Sequence, residues 1–270
     1  MTPIRIENPD DPRLDRYRSL RDPERRAALE AAGGHFVAEG VTVVRRLLES
    51  TFVIHSVLVL EGRQDRVADL IGDHVDFLTV PNEVMNTVVG FDLHRGVLAC
   101  AERPANRTVT ELATGARVIA VLEGINDHEN IGAIARSARA LGIDAMLLDP
   151  TTADPWYRRA VRVSMGEMIY LPIGRAAQWP DALDELRAHG FVIAALTPSA
   201  DAVAVNTFAA SAPDRVALLL GAEGPGLSRA AIAASDIRLR IPIRNSVDSL
   251  NVGHAAAVAF AALGDPSANG

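Results

Sequence analysis

Lysine is absent from the 270 residues, and all 27 basic side chains are arginine. The glycine loop at 221–226 therefore cannot carry the Lys-Ser/Thr of a phosphate-binding P-loop. Arginine forks onto phosphate and stacks on bases, which suits RNA, but a composition bias of the whole genome gives the same count. Placement has to carry the information. Cysteine occurs once, at Cys100, which excludes an internal disulfide and points to a cytoplasmic protein. It follows Val-Leu-Ala in a strand-like run, where a small buried thiol is a plainer reading than a nucleophile. Positive charge is not in excess either. A net charge of −7 argues against a globally electrostatic nucleic-acid footprint while leaving room for a local basic patch. No apolar run approaches the roughly 18 residues of a membrane span. The N-terminal MTPIRIENPDD has no signal-peptide pattern, so no membrane partner is expected. The seven histidines are scattered without ligand spacing, so no metal is expected. No GxGxxG follows the first strand of a βαβ unit, and a dinucleotide fingerprint is missing.

What is present is a globular composition, 49% hydrophobic, with core enough for one large or two medium domains. Residues 1 to about 34 interleave Arg13, Arg16, Arg18, Arg21, Arg25 and Arg26 with nearly as many acids, as a solvated helical face does. From His35 the texture alternates: strand-like HFVAEG, helical VTVVRRLLES, strand-like FVIHSVLVL, a helix over about Arg63 to Ile71, FLTV, a helix opened by Pro81-Asn82, and GVLACA. This predicts a small α/β domain over 1–105. Arg103 to Ala116 has no strong periodicity, and 106–116 is expected to be a linker.

Residues 117–270 predict a second domain. Strand RVIAVLEG ends at Gly124. After the polar turn INDHENIG a helical stripe runs through Ile131, Ile134, Ala135, Ala138 and Leu141, with Arg136 and Arg139 off it. IDAMLLD, IYLPI, FVIAALT, RVALLLG and IRLRIPI read as further strands. Helices are expected over DPWYRRAVRVSMG, Trp179 to Ala188, Leu227 to Ala234 and the alanine-rich C-terminal stretch. Strands alternating with helices of this length imply a mostly parallel sheet covered on both faces. Ligands in such sheets bind outside the carboxyl ends of the strands.

Three polar loops lie at those ends: 125–130, 221–226 and the stretch after Ile241 that holds Asn245, Ser246, Asp248, Ser249 and Asn251. Polar side chains between buried elements must be hydrogen-bonded, since an unpaired one costs roughly 1–3 kcal/mol. A turn capping the last helix at Asn251 accounts for part of this. His254, one turn into that helix, fits a satisfied core histidine better than a base, and Ser249 has no His/Asp partners at hydrolase spacing.

Together NDHENIGAIARSARALG (126–142), LLLGAEGPGLS (218–228) and IPIRNSVDSLNV (241–252) resemble the three motifs of the SpoU-type (TrmH-like) RNA ribose methyltransferases of the SPOUT superfamily. HFVAEG and GVLACAERP are more loosely similar to that family's N-terminal substrate-binding domain. The resemblance implies methyl transfer from S-adenosylmethionine to a ribose 2′-hydroxyl of structured RNA. It further implies a C-terminal sheet tied in a deep trefoil knot and a homodimer with catalytic residues contributed across the interface.

By position, the resemblance assigns catalytic roles to Asn130, Arg136, Glu223, Ser249 and Asn251. It assigns the cofactor to Gly221, Ile241 and Leu250, with Thr197 as a further wall. The family uses its first-motif arginine to activate the ribose hydroxyl. A guanidinium is a poor base, so Arg136 is expected to grip the target phosphate and stabilise the developing alkoxide. Gly253-His254 departs from the small-then-apolar pair common after SLNV, which bears on how the final helix packs. The extra N-terminal domain resembles those that hold ribosomal RNA, which favours ribosomal over transfer RNA. Arg45, Arg46, Arg158, Arg159 and Arg162 are candidate phosphate contacts, each equally readable as a solvated face. A non-catalytic RNA-binding homologue would lack the motif arginine or the Ser-Leu-Asn residues, and all are present. An unrelated α/β nucleotide-binding enzyme would need the phosphate loop or dinucleotide fingerprint that is missing.

Overall fold

The computed structural model describes residues 2–20, 30, 33–93, 96–244, 247–265 and 267. Arg21, Arg25, Arg26, Asn245 and Ser246 lie outside the described residues. The chain divides into two units, Met1–Pro104 with Trp156–Ile169, and Ala105–Pro155 with Tyr170–Gly270. Among the described residues no helix is long and apolar enough to cross a membrane.

The first unit is built on a five-stranded mixed sheet. Its strands are β1 (Ile4–Arg5), β2 (His35–Glu39), β3 (Ile54–Leu60), β4 (Asp76–Val80) and β5 (Val97–Glu102), in the order β1-β4-β3-β5-β2. The apolar runs read as strands are these strands because both faces are covered, and β2 is buried throughout. Cys100 is fully buried in the core, as its strand-like setting predicted. The N-terminal segment is a different matter. Over residues 2–20 it forms a short 3-10 helix, Pro12–Tyr17, that buries Leu14 and Tyr17, so this part is not only a solvated face. The Tyr17 hydroxyl meets the Ser56 carbonyl at 2.9 Å and the Ser56 hydroxyl at 2.7 Å. Arg13 pairs with Asp11 and Arg18 with Asp15. The helix expected over Arg63 to Ile71 is two 3-10 turns, Gln64–Arg66 and Ala68–Leu70. Val67, Leu70 and Ile71 are too few apolar side chains to bury a helical stripe and offset the cost of nucleation.

The helix Arg158–Val163 belongs to this unit although it lies far along the chain. Trp156 packs on Phe36 and Phe52 with ring centroids 5.2 and 5.6 Å apart. Arg158 and Arg162 both reach Glu39, whose side chain is 4% exposed. Arg158 also donates to the Leu20 carbonyl at 3.2 Å and lies over the Phe91 ring. These contacts bear on the arginines read as phosphate contacts. Arg158 and Arg162 are committed to Glu39, Arg45 to Asp69 at 2.7 Å, and Arg46 to Glu167 at 2.7 Å and the Met165 carbonyl. Arg159 is exposed and also interacts within the chain. The phosphate reading is corrected most plainly for Arg158. A guanidinium only 14% exposed and neutralised by a buried carboxylate serves the fold.

The second unit carries a seven-stranded sheet in which every pairing is parallel. Its strands are β6 (Val118–Glu123), β7 (Ala145–Leu148), β8 (Ile173–Arg175), β9 (Val192–Leu196), β10 (Val203–Ala204), β11 (Val216–Gly221) and β12 (Ile237–Arg240), in the order β10-β12-β9-β11-β6-β7-β8. The segment expected as a linker is structured. Residues 109–113 form a helix with a capping box between Thr108 and Glu111, and Val109, Leu112 and Ala113 enter the unit's core. Strand β10 and the helix Val205–Ala209 had no sequence signal. Register puts the carboxyl ends of the central strands level: Gly221 lies opposite Glu123, and Leu239 opposite Leu196. The last helix, Val252–Leu263, packs on the helix His128–Ala140. A Cβ on Gly253 would lie 3.3 Å from Ala133 Cβ, so the glycine of the Gly253-His254 departure lets these helices approach closely. His254 is exposed at its side chain, and its amide is capped, which corrects the expectation of a core histidine.

Glu39→Gln keeps the shape of the buried carboxyl and removes its charge, leaving Arg158 enclosed without a counter-ion. We expect a loss of about 3–5 kcal/mol. It should register as an earlier urea transition in the fluorescence of Trp156, which packs beside Glu39's strand.

Candidate functional site

The three loops expected to converge do so at the carboxyl edge of the parallel sheet. A cavity of about 560 Å³ is lined by Thr197 after β9, by 220–224 and Gly226 around the end of β11, and by most of 240–252 after β12. Gly221, Ile241, Ser249, Leu250 and Asn251 all line it. Every position read as cofactor-binding is therefore on one wall or another of a single cavity.

Gly221 is required by packing. The chain doubles back after it so tightly that a Cβ there would sit 2.3 Å from Leu227 N and 2.4 Å from Gly226 C. The Gly226 amide donates to the Ala222 carbonyl at 3.0 Å, closing the loop on itself. The outer end of the loop is held by Glu123, the last residue of β6. Its carboxylate accepts from Trp179 Nε1 at 2.6 Å, from the Ser228 amide at 2.8 Å and from Ser228 Oγ at 2.7 Å. Ser228 in turn caps the helix Arg229–Ala233.

Asn251 joins the three loops. Its Oδ1 accepts from the amides of Gly253 at 3.0 Å and His254 at 3.2 Å, which caps the last helix. Its Nδ2 donates to Asn130 Oδ1 at 2.9 Å and to Glu223 Oε1. The amide orientation follows from this network, because the reverse would set the carboxamide oxygen against two acceptors. Asn130 is buried one turn into the helix His128–Ala140, whose N-cap, Asp127, accepts from Glu129 N at 2.8 Å.

The remaining site residues are placed less centrally. Ser249 is exposed on the cavity rim. Arg136 projects from an exposed position of the helix His128–Ala140 and does not line the cavity. Glu223 meets Asn251. Among the described residues no group of three His, Cys, Asp or Glu side chains is placed to hold a metal ion.

Two acids at strand ends escaped the sequence reading. Glu123 ends β6, and Asp149 follows β7 directly. Asp149 accepts from Thr152 Oγ1 at 2.6 Å, Thr152 N at 2.7 Å, Thr151 Oγ1 at 2.5 Å and Gly124 N at 3.0 Å. Burial works to raise its pKa, yet these bonds prevail and hold the carboxyl below the ordinary aspartate value. The signal available was an acid terminating an otherwise apolar strand on the side where ligands bind.

The family model described as the SpoU rRNA Methylase family matches residues 117–261. An uncharacterised tRNA/rRNA methyltransferase of Mycobacterium bovis is 47% identical over 258 residues, covering 94% of this chain and 88% of the relative. The 23S rRNA (guanosine(2553)-2′-O)-methyltransferase of Bacillus subtilis is 26% identical over 225 residues, covering 83% and 86%. The crystal structure of an AdoMet-bound rRNA methyltransferase from Sinorhizobium meliloti superposes with a TM-score of 0.80 at 25% identity, covering 96% of both chains.

The double duty of Asn251 separates two substitutions. Asn251→Asp keeps a good N-cap but loses both donated bonds and brings a second carboxylate beside Glu223. Asn251→Ser also keeps a cap and adds no charge. We expect the aspartate to cost about 1–3 kcal/mol more than the serine at neutral pH by chemical denaturation.

Proposed function

The chain belongs to the SpoU rRNA Methylase family, and on that premise we propose that it methylates a ribose 2′-hydroxyl of structured RNA, ribosomal rather than transfer RNA, with S-adenosylmethionine as methyl donor. The observation that carries this reading is the Asn130–Asn251–Glu223 cluster at the mouth of the 560 Å³ cavity. The names of the Bacillus subtilis relative and the Sinorhizobium meliloti structure support the 2′-O position, the ribosomal substrate and the cofactor.

The cavity suits such a cofactor in size, since clefts of about 300–1,000 Å³ hold ligands of this class. Its chemistry suits it too. Ile241, Val247 and Leu250 offer apolar surface to an adenine ring, while the main chain of 220–222 and the Thr197 hydroxyl offer hydrogen-bonding groups. When bound, S-adenosylmethionine supplies an electrophilic methyl group on a sulfonium. The residues around it position rather than react. Gly221 lets the backbone come close, Asn251 fixes the three loops, and Ser249 stands at the rim where a ribose would enter.

A guanidinium is a donor-only group, so Arg136 serves as a grip on the target phosphate and a stabiliser of the developing alkoxide. The hydroxyl proton leaves to phosphate or water. The exposed position of Arg136, outside the cavity lining, supports a homodimer in which it acts at the cavity of a second copy. The trefoil knot belongs to the same reading. It is supported by the course of the chain after β12, which lines the cavity beside the 220–226 loop before the last helix packs against the helix His128–Ala140. The single buried cysteine supports a cytoplasmic setting.

Incubation with methyl-labelled S-adenosylmethionine and total RNA should label ribosomal RNA, at a position that then resists alkaline cleavage as a 2′-O-methyl nucleotide does. Label confined to transfer RNA would replace the substrate. Cofactor binding without label in any RNA would leave a non-catalytic RNA-binding protein. In the same assay Arg136→Lys keeps charge but loses the fork, and turnover should fall at least tenfold; near wild-type turnover would remove the bidentate grip.

A further inference from the structure

A second cavity, about 670 Å³, shares Ala222, Glu223 and Gly226 with the first. Among the described residues no basic side chain lines it, and four carboxylates do: Glu123, Asp127, Asp149 and Glu223. They are not equivalent. Glu123 and Asp149 are saturated by Trp179, Ser228, Gly124, Thr151 and Thr152. Among the described residues Asp127 accepts only the amide of its own N-cap turn, and Glu223 only the Asn251 amide. A carboxylate offers about four acceptor sites, so both keep capacity toward the cleft.

Trp179 is the aromatic side chain of this lining, in a chain with only two tryptophans. It is half-buried, packs against the core, and has its orientation fixed by the bond from Nε1 to Glu123. A locked indole beside acceptor-only groups is a stacking platform with a polar edge. We infer that this cleft receives the base of the acceptor nucleotide, and that the base is guanine, stacked on Trp179 with its N1–H and N2–H₂ edge on Asp127. This rests on the methyltransferase reading above, with Ala222, Glu223 and Gly226 lining both cavities, so that a ribose at the mouth of the first has its base directed to the second.

The chemistry selects among candidates. Guanine presents two adjacent donors that match one carboxylate, whereas the N3–H of uracil is flanked by carbonyl oxygens that a carboxylate repels. Phosphate is disfavoured by four negative groups without a cation. Glu123 acts here through Trp179 and is a positioning residue.

Trp156→Phe leaves Trp179 as the sole indole, and a stacked base quenches it. Short single-stranded RNAs containing guanine should quench with at least tenfold tighter binding than their uridine counterparts, the scale expected for a well-stacked, edge-read base. Asn caps a helix as well as Asp does, so Asp127→Asn should preserve the fold and cofactor affinity while reducing the guanine preference to a few-fold. Equal quenching by both RNAs, or none while RNA is still methylated, overturns the cleft assignment and leaves the methyltransferase reading standing. A methyl group mapped to uridine alone does the same. Guanine-selective quenching with no transfer to any RNA keeps the cleft and overturns the methyltransferase reading.

Discussion

The site depends on one carboxamide. Asn251 is the place where the first, second and third polar loops are fastened together, and no other side-chain type can do this from the same backbone. The position requires an acceptor for the two exposed amides at the start of the last helix and a donor for the oxygens of Asn130 and Glu223. Aspartate supplies no donor, serine has too few groups, and glutamine places them one methylene too far out. Because a carboxamide does not titrate, Asn251 offers the same donors and acceptor whatever the pH. Capping and bridging are thus one function, satisfied by opposite ends of a single dipole.

That junction works only because its surroundings are stiff. The loop after β11 is closed by the Gly226–Ala222 bond and has no room for a side chain at Gly221. Its far end is pinned by Ser228 on Glu123, whose other partner is Trp179. The helix behind Asn251 lies close against Ala133 because Gly253 has no side chain. Each constraint is a few kilocalories at most, but they act on the same short stretch of backbone. Positioning to within fractions of an ångström follows from such redundancy.

The parts that were legible from sequence are those where the local pattern and the tertiary environment agree. VIAVLE, VIAAL and VALLLG are apolar along their length because a parallel sheet is buried on both faces, and they emerge as β6, β9 and β11. Asn130, Glu223 and Asn251 stood out as polar groups at the ends of such runs, and the fold brings them into contact. The failures have physical causes. The helix at 109–113 is shorter than the window in which a 3.6-residue period can be recognised, so a segment with three buried side chains looked like a linker. Tyr17 and Leu14 are buried between exposed arginines, and charge density hid them. Arg158 looked free to bind phosphate because its partner, Glu39, is 119 residues away. Glu123 read as the end of a strand, since only the folded chain brings Ser228 and Trp179 to it.

The contrast among the carboxylates at this sheet edge gives a more general rule for reading such a site. Glu123 and Asp149 are surrounded by donors from the protein, and a carboxylate whose bonds are complete has nothing left to offer a ligand. Glu223 and Asp127 are each met by donors on one side only. Sequence treats all four as acids at strand ends. The hydrogen-bond inventory divides them into two that brace the loops and two that face open space, and the bracing pair is the more buried. Burial marks the acids that hold the frame, and open acceptor sites mark those with capacity left for a ligand.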